Sequence, residues 1–227
     1  MFGLGYLAHV WIGFCARCGN ECRTGLCVNC QEQGLLKHTT PGGISCWGLG
    51  RYDDQLAEWI GRLKFHDETI LALHLGDALG QLLPDELRAC SLLPVPLHPV
   101  RLCERGYNQS ALLARAIRRK MSPAISFDVL FRTSQTAQQS RLGQSERKGN
   151  MNNAFLAIPL PDERNLRQVR DAQILLVDDV ITSGSTIDSC ALALRNAGWQ
   201  VRGAICCAIA RNDAIFEAAA LLNRKPK

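Results

Sequence analysis

The sequence predicts an α/β domain with a mostly parallel sheet of about five strands, preceded by a small cysteine-rich segment. Three observations carry that prediction. Ile174-Leu175-Leu176-Val177 run apolar without alternation, as expected of a strand buried on both faces of a parallel sheet. Ile187, Cys190, Ala191 and Leu194 then recur at helical spacing, and Gly198 sits where a C-terminal cap belongs. Near the other end, Cys15-Ala-Arg-Cys18 and Cys27-Val-Asn-Cys30 form two C-x2-C pairs separated by eight residues.

Composition bounds the class. A chain of 227 residues with 47% hydrophobic and 21% charged residues has the usual balance of a soluble globular protein and enough apolar material for a full core. Its longest apolar runs fall well short of a membrane span. Eleven cysteines is a high and odd count with no export signal in view, so a reducing, cytoplasmic location is expected, with the clustered cysteines holding metal. The first fourteen residues, MFGLGYLAHVWIGF, are apolar, but no Lys or Arg precedes them and no small-residue cleavage site comes after. A packing or interfacial segment is expected there rather than a signal peptide.

Each C-x2-C knuckle turns two thiolates to one point, and two knuckles make a closed tetrahedral site. The expectation is a structural zinc on Cys15, Cys18, Cys27 and Cys30. Cys22 lies between the pairs as an alternative ligand, and two disulfides are the competing arrangement. About thirty-five residues cannot build a core alone, so metal is expected to hold this segment together. The predicted division is a finger segment over residues 1–45 and an α/β domain over 46–227, whose residues 46–90 form a helical hood. A Gly-rich linker is expected over 34–50.

Two helical stripes come next, Leu56, Trp59, Ile60 and Leu63, then Leu71, Leu75, Ala78, Leu79 and Leu82, ended by Pro84. Lys64, Phe65 and His66 stand at the joint, where Lys64 is either a contact for an anionic ligand or a solvated lysine. The stretch 92–97, LLPVPL, reads as a short strand running into a rigid loop. The next stretch carries Arg101, Arg105, Gly106, Asn108 and Gln109, and reads as a loop able to clamp phosphate oxygens, since Arg offers paired donors. A solvated basic loop is the alternative. Leu112, Leu113, Ala116 and Ile117 mark the helix after it.

Residues 127–131 read as a strand and 132–153 as a polar, Gln-rich loop of the length usually reserved for function. Residues 155–158 and 201–210 are further strands, and 213–222 a short helix. Between residues 98 and 150 ten Lys/Arg face three acids, a surplus of +7 in a chain of net charge +5. That excess suits a diphosphate or a nucleic-acid backbone.

The sharpest feature stands directly after the apolar run 174–177. Asp178 and Asp179 are succeeded by Thr182, Ser183, Gly184, Ser185 and Thr186, then by a helix. Backbone N–H groups in a tight loop opening a helix form an anion-binding concavity, to which the hydroxyls add donors. A simple capped helix is the alternative, with Thr182 or Ser183 as N-cap. The adjacent carboxylates weigh against it, because placing both at the end of a buried strand costs desolvation and repulsion.

VDDVITSGST resembles the ribose-phosphate signature of type I phosphoribosyltransferases. The resemblance implies that Asp178 and Asp179 hold the ribose 2′ and 3′ hydroxyls and that Thr182, Ser183, Gly184, Ser185 and Thr186 hold the 5′-phosphate. PVPLHPVRLCERGYNQ is similar to the matching block of the ComF/GntX family, in which a four-cysteine zinc finger precedes a phosphoribosyltransferase-like domain. The similarity extends through residues 52–66 and through Arg147 and Asn150. It implies a diphosphate loop at Arg101, Arg105, Asn108 and Gln109, with magnesium accompanying phosphoribosyl diphosphate. The implied role is DNA utilization or competence, with single-stranded DNA, phosphoribosyl diphosphate or a nucleotide, and DNA-uptake proteins as partners. A working phosphoribosyltransferase and a non-catalytic sensor of phosphoribosyl diphosphate are the alternatives. No base-selecting segment is recognisable after Ala210.

Overall fold

The computed structural model describes residues 13–23, 25–119, 129–133, 154–160 and 173–210. The expectations for the first twelve residues, for most of the Gln-rich loop with Arg147 and Asn150, and for a helix over 213–222 lie outside the described residues.

In chain order the elements are helix α1 (Val28–Gln33), strands β1 (Leu36–Thr39) and β2 (Ser45–Arg51), helices α2 (Asp54–Phe65) and α3 (Ile70–Leu82), and strand β3 (Ser91–Pro94). Helices α4 (Pro99–Arg105) and α5 (Gln109–Arg118) come after it, then strands β4 (Leu130–Arg132), β5 (Phe155–Ala157) and β6 (Ile174–Ile181), helix α6 (Ser185–Asn196) and strand β7 (Val201–Ile209). The main sheet has five strands in the order β1-β2-β7-β6-β3, parallel except for the antiparallel β1–β2 edge. Strands β4 and β5 pair with each other outside it.

Strand β6 is central because it is apolar on both faces. Leu175 and Val177 face a core built with α2, α3 and α5, whereas Ile174 and Leu176 face α6 and the β4–β5 ribbon. The chain reaches β6 from β3 on one side and leaves it for β7 on the other. Ligand crevices of open α/β sheets form at such a switch point. Gly76 on α3 lets α5 approach closely, since a Cβ there would lie 2.4 Å from the Cβ of Ala116.

The structure corrects two local expectations. Residues 34–50 are not a linker: they contain the β1–β2 hairpin, and β2 pairs in parallel with β7. Glycines suggest a linker there, yet Gly48 is required because a Cβ would meet Ile209 at 2.8 Å. The arginine-bearing stretch is not all loop, because Arg101 and Arg105 lie one turn apart on α4. That helix starts at Pro99 and ends at Gly106, whose φ of 77° forms a left-handed cap.

The cysteine segment packs directly on the domain. Cys15, Ala16, Leu26 and Cys30 belong to the same apolar cluster as Leu49, Leu56, Trp59 and Leu75. Arg17 Nη1 donates to the Gly34 carbonyl at 2.9 Å. No described helix is long and apolar enough to cross a membrane.

Candidate functional site

Asp178 and Asp179 do not stand beyond the strand but lie within it. The ladder between β6 and β7 continues to Ile181, while β3 ends opposite Val177. Pro94 and Pro96 lack an N–H, and after Val95 the chain leaves the sheet edge. The crevice therefore opens at the two carboxylates. Successive strand residues point to opposite faces, so the pair is divided between two environments.

Asp179 is 4% exposed and fully engaged. Its Oδ1 pairs with Lys64 Nζ at 2.7 Å, and its Oδ2 accepts from Gln109 Nε2 at 2.5 Å. Gln109 in turn accepts through Oε1 from Arg105 Nη1 at 2.6 Å. The Arg105 guanidinium lies 5.6 Å from the centre of the Phe65 ring. Burial lowers the Lys64 pKa, but the adjoining Asp179 carboxylate offsets this and holds the ammonium above its ordinary value. An ion pair in such a site is sustained by its further hydrogen bonds.

Asp178 accepts from Ser110 Oγ at 3.1 Å and from the Asp179 backbone N–H at 2.9 Å. Burial and the charge of Asp179 raise its pKa to about 7, against the pull of Lys64 and these hydrogen bonds. Asn108 anchors this side of the crevice. Its Oδ1 caps α5 by accepting from Ser110 N at 2.9 Å, and its Nδ2 donates to the Val95 carbonyl at 3.0 Å. Tyr107 donates its hydroxyl to the Leu63 carbonyl, tying α2 to the same corner.

The loop between β6 and α6 is exposed at Thr182 and Ser183. Ser183 and Ser185 share a hydrogen bond at 2.7 Å between their hydroxyls. Gly184 has φ 79°, a conformation costly for residues with a Cβ. A Cβ there would also stand 2.6 Å from Thr40 Cγ2. Thr40 belongs to the β1–β2 turn and donates its hydroxyl to Asp188 on the first turn of α6, and Gly42 N donates to the same carboxylate at 2.9 Å. The hairpin thus braces the loop from outside. The first turn of a helix leaves backbone N–H groups without intrahelical partners, which suits an anion.

The structure thus brings Asp178, Asp179, Asn108, Gln109 and Arg105 to one corner. Arg101 lies on the exposed surface of α4, one turn from Arg105. Thr182, Ser183, Gly184, Ser185 and Thr186 form the loop and helix start beyond β6. Sequence leaves Lys64 between two roles, and its partner proves to be protein. Ser110, Thr40 and Asp188 are site residues that the sequence patterns do not single out. Ser110 stands after two amides in a polar run, a signal that was present. Thr40 and Asp188 are 148 residues apart, and no local pattern links them.

The four cysteines Cys15, Cys18, Cys27 and Cys30 converge, with all their sulfurs within 4.8 Å of one another. Cys18 and Cys27 sulfurs are 3.7 Å apart. Zinc–thiolate bonds of about 2.3 Å in a tetrahedron separate sulfurs by about 3.8 Å, so the cluster fits a metal ion. Cys22 is outside the cluster. Burial raises the Cys15 thiol, but backbone N–H groups of Cys18, Cys27 and Arg17 bring it down to about 7, near the range where thiolate ligands form.

The comparisons with known proteins agree with this architecture. Residues 110–220 match the phosphoribosyl transferase domain family. Competence protein F of Haemophilus influenzae is 31% identical over 195 residues, covering 82% of this chain and 80% of that protein. The DNA utilization protein YhgH of Escherichia coli K12 is 31% identical over 212 residues, covering 84% of this chain and 88% of that protein. The competence protein ComFC of Streptococcus pneumoniae is 26% identical over 183 residues, covering 80% and 75%. Likeness on this scale takes in most of the chain, and the chain belongs to the ComF/GntX family of competence and DNA utilization proteins, with a phosphoribosyltransferase-type domain.

Proposed function

We propose that the crevice at the end of β6 binds a 5-phosphoribosyl ligand in the service of DNA utilization. The observation that supports it most directly is the order of strand, acidic pair, hydroxyl loop and helix, with Gly184 at φ 79° opening the helix. Thr182, Ser183, Ser185 and Thr186 offer hydroxyls to the 5′-phosphate, and the sugar lies towards Asp178 and Asp179. Arg105 and Arg101 on α4 stand on the diphosphate side, with Asn108 and Gln109 shaping it. The DNA role is drawn from the names of the relatives, competence protein F and the DNA utilization proteins.

Both Asp179 oxygens already have one protein partner each, Lys64 and Gln109, so a ribose hydroxyl would donate to their remaining lone pairs or to Asp178. Magnesium brought with phosphoribosyl diphosphate would bring charge compensation to the phosphates and carboxylates Asp178 and Asp179. Zinc is the metal that best suits the cysteine cluster, since four thiolates in a closed tetrahedron leave no open position and serve structure alone. None of the eleven cysteines is joined in a disulfide, which supports a reducing cytoplasmic location.

The test is calorimetric titration of the full chain with phosphoribosyl diphosphate and with ribose 5-phosphate, magnesium present. Saturable binding below millimolar concentration is expected, and it should be lost in Gly184→Val. If the wild type binds neither ligand at millimolar concentration, or if Gly184→Val binds as well, the reading fails.

A further inference from the structure

The four clustered sulfurs are not equally placed. Cys15 and Cys30 are 0% and 3% exposed and belong to the core, whereas Cys18 is exposed and Cys27 half-buried. Backbone N–H groups of Cys18, Cys27 and Arg17 also hold the Cys15 sulfur in place. The two outer sulfurs come from different knuckles and already meet, at 3.7 Å. A closed metal site asks only for four thiolates converging on one point, not for this division into an inner and an outer pair.

The outer pair is also joined to α2. Gly19, next to Cys18, has φ 74°, and a Cβ there would meet the side-chain amide of Gln55, so the knuckle backbone sits directly against α2. Cys27 is the N-cap residue of α1, whose Cys30 shares a core with Leu56 and Trp59 of α2. The other end of α2 carries Lys64, which pairs with Asp179, and the Leu63 carbonyl that accepts from Tyr107. A change at Cys18 and Cys27 therefore acts on the helix that supplies the cationic partner of the carboxylate crevice.

We propose that Cys18 and Cys27 form an oxidation site, at which hydrogen peroxide joins them in a disulfide, ends metal binding and weakens the crevice. The consequence for the crevice rests on the 5-phosphoribosyl reading, whereas the modification itself does not. The Cys18 thiolate is the sulfur of the cluster that an oxidant in solvent reaches first. It attacks one peroxide oxygen; the S–O bond forms as the O–O bond breaks, and the departing hydroxide takes up a proton to become water. The Cys27 thiolate then attacks the sulfur of this sulfenic acid. The S–S bond forms, the S–O bond breaks, and a second hydroxide leaves and is protonated to water. The pair of sulfurs thereby gives up two electrons and reduces one peroxide. Cys15 and Cys30 alone are two ligands short of the closed site, so the metal dissociates. A thiol reductant reverses the disulfide by exchange, and the reduced pair takes up metal again.

The experiment uses the zinc-loaded full chain and its Cys18→His variant, since three cysteines and a histidine still make a zinc site but lack the exposed thiolate. Hydrogen peroxide is added in stoichiometric steps, zinc release is read with a chromogenic chelator, and disulfides are mapped by peptide mass spectrometry after alkylation. Ribose 5-phosphate is titrated by calorimetry before oxidation, after it, and again after dithiothreitol and zinc. Wild type should release about one zinc per peroxide consumed and yield a peptide pair linking Cys18 to Cys27. Cys103, exposed on α4 and outside the cluster, should not appear in that disulfide. Affinity for ribose 5-phosphate should fall roughly tenfold, a loss of about 1.4 kcal/mol, and return on reduction with zinc. Cys18→His should bind ribose 5-phosphate like the untreated wild type and release zinc roughly tenfold more slowly under peroxide. Zinc retained through stoichiometric peroxide, a disulfide within either knuckle, Cys18 driven to sulfinic acid without a disulfide, or equally fast release from Cys18→His overturns the proposal. Should Cys18→His fail to hold zinc, the wild-type disulfide map decides. The Cys18–Cys27 disulfide with unchanged ribose 5-phosphate affinity overturns the coupling to the crevice. Reduced wild type that binds no ribose 5-phosphate sinks the 5-phosphoribosyl reading, and the oxidation site then stands or falls on the disulfide map and zinc release.

Discussion

The two carboxylates of the site look equivalent in sequence and are given different partners by the fold. Lys64 and Gln109 engage both oxygens of Asp179, and removing Lys64 alone would leave this buried carboxylate without its cationic partner. Asp178, one residue earlier, has a hydroxyl and a backbone N–H as neighbours, and its own burial and the charge of Asp179 raise its pKa from 3.8 to about 7. This has a consequence for stability with a definite sign. The folded state retains a proton that the unfolded chain releases above 3.8, so the contribution is complete below that value and is lost as pH rises through about 7. Between pH 5.5 and 7.5 the wild type should lose about 1–2 kcal/mol relative to Asp178→Asn, given about 1.36 kcal/mol per pH unit for one proton. Urea unfolding of both proteins at the two pH values measures the difference. Parallel pH dependence would show that Asp178 is ionised throughout.

At the scale of elements, the phosphate loop is shaped by a hairpin far from it in sequence. The turn between β1 and β2 places Thr40 and the Gly42 N–H on Asp188, and Thr40 Oγ1 also accepts from Ile44 N at 3.0 Å, closing the turn on itself. Asp188→Ala removes the acceptor of two hydrogen bonds to a charged group, at about 1.5–3 kcal/mol each before relaxation. The expected outcome is faster amide exchange in the turn and in the loop, together with weaker ribose 5-phosphate binding, while β6 and β3 keep their protection. Unaltered exchange in the loop would mean that the hairpin does not brace it. This brace also marks where the sequence stops being readable. Strand β6, helix α6 and the acidic pair are legible because a continuous apolar run, a helical stripe and adjacent charges are local patterns. The β1–β2 hairpin is not, because Gly48 and Gly50 read as linker when they in fact serve close contacts with Ile209 and with Leu56 and Arg17. Helix α4 is hidden for a related reason: it has no buried residue, so it has no apolar stripe to find.

On the scale of the whole molecule, the cysteine cluster and the α/β domain share one core. The two C-x2-C pairs are plain in the sequence, but the sharing is not, since the contacts run from Cys15, Ala16, Leu26 and Cys30 to Leu49, Leu56, Trp59 and Leu75 across long separations. A finger joined by a flexible linker would unfold by itself when its metal is removed. Here the segment covers α2 and α3: Trp59 packs edge-on to His74 at 6.0 Å between ring centroids, and Gly25 approaches the His74 ring at 3.9 Å from where its Cβ would stand. Burial lowers the His74 pKa, which keeps the imidazole neutral in this contact. Loss of metal then uncovers the apolar faces of both helices, and with α2 goes Lys64, the partner of Asp179. The expected outcome of chelation, or of Cys27→Ser, is a single cooperative thermal transition moved down by roughly 10 °C or more, as a loss of several kcal/mol implies for a domain of this size. Ribose 5-phosphate affinity should fall in the same samples, although none of the four clustered cysteines belongs to the loop. Two separate transitions, with the second at the temperature of the metal-loaded protein and ligand binding retained, would show that the finger is an independent unit after all.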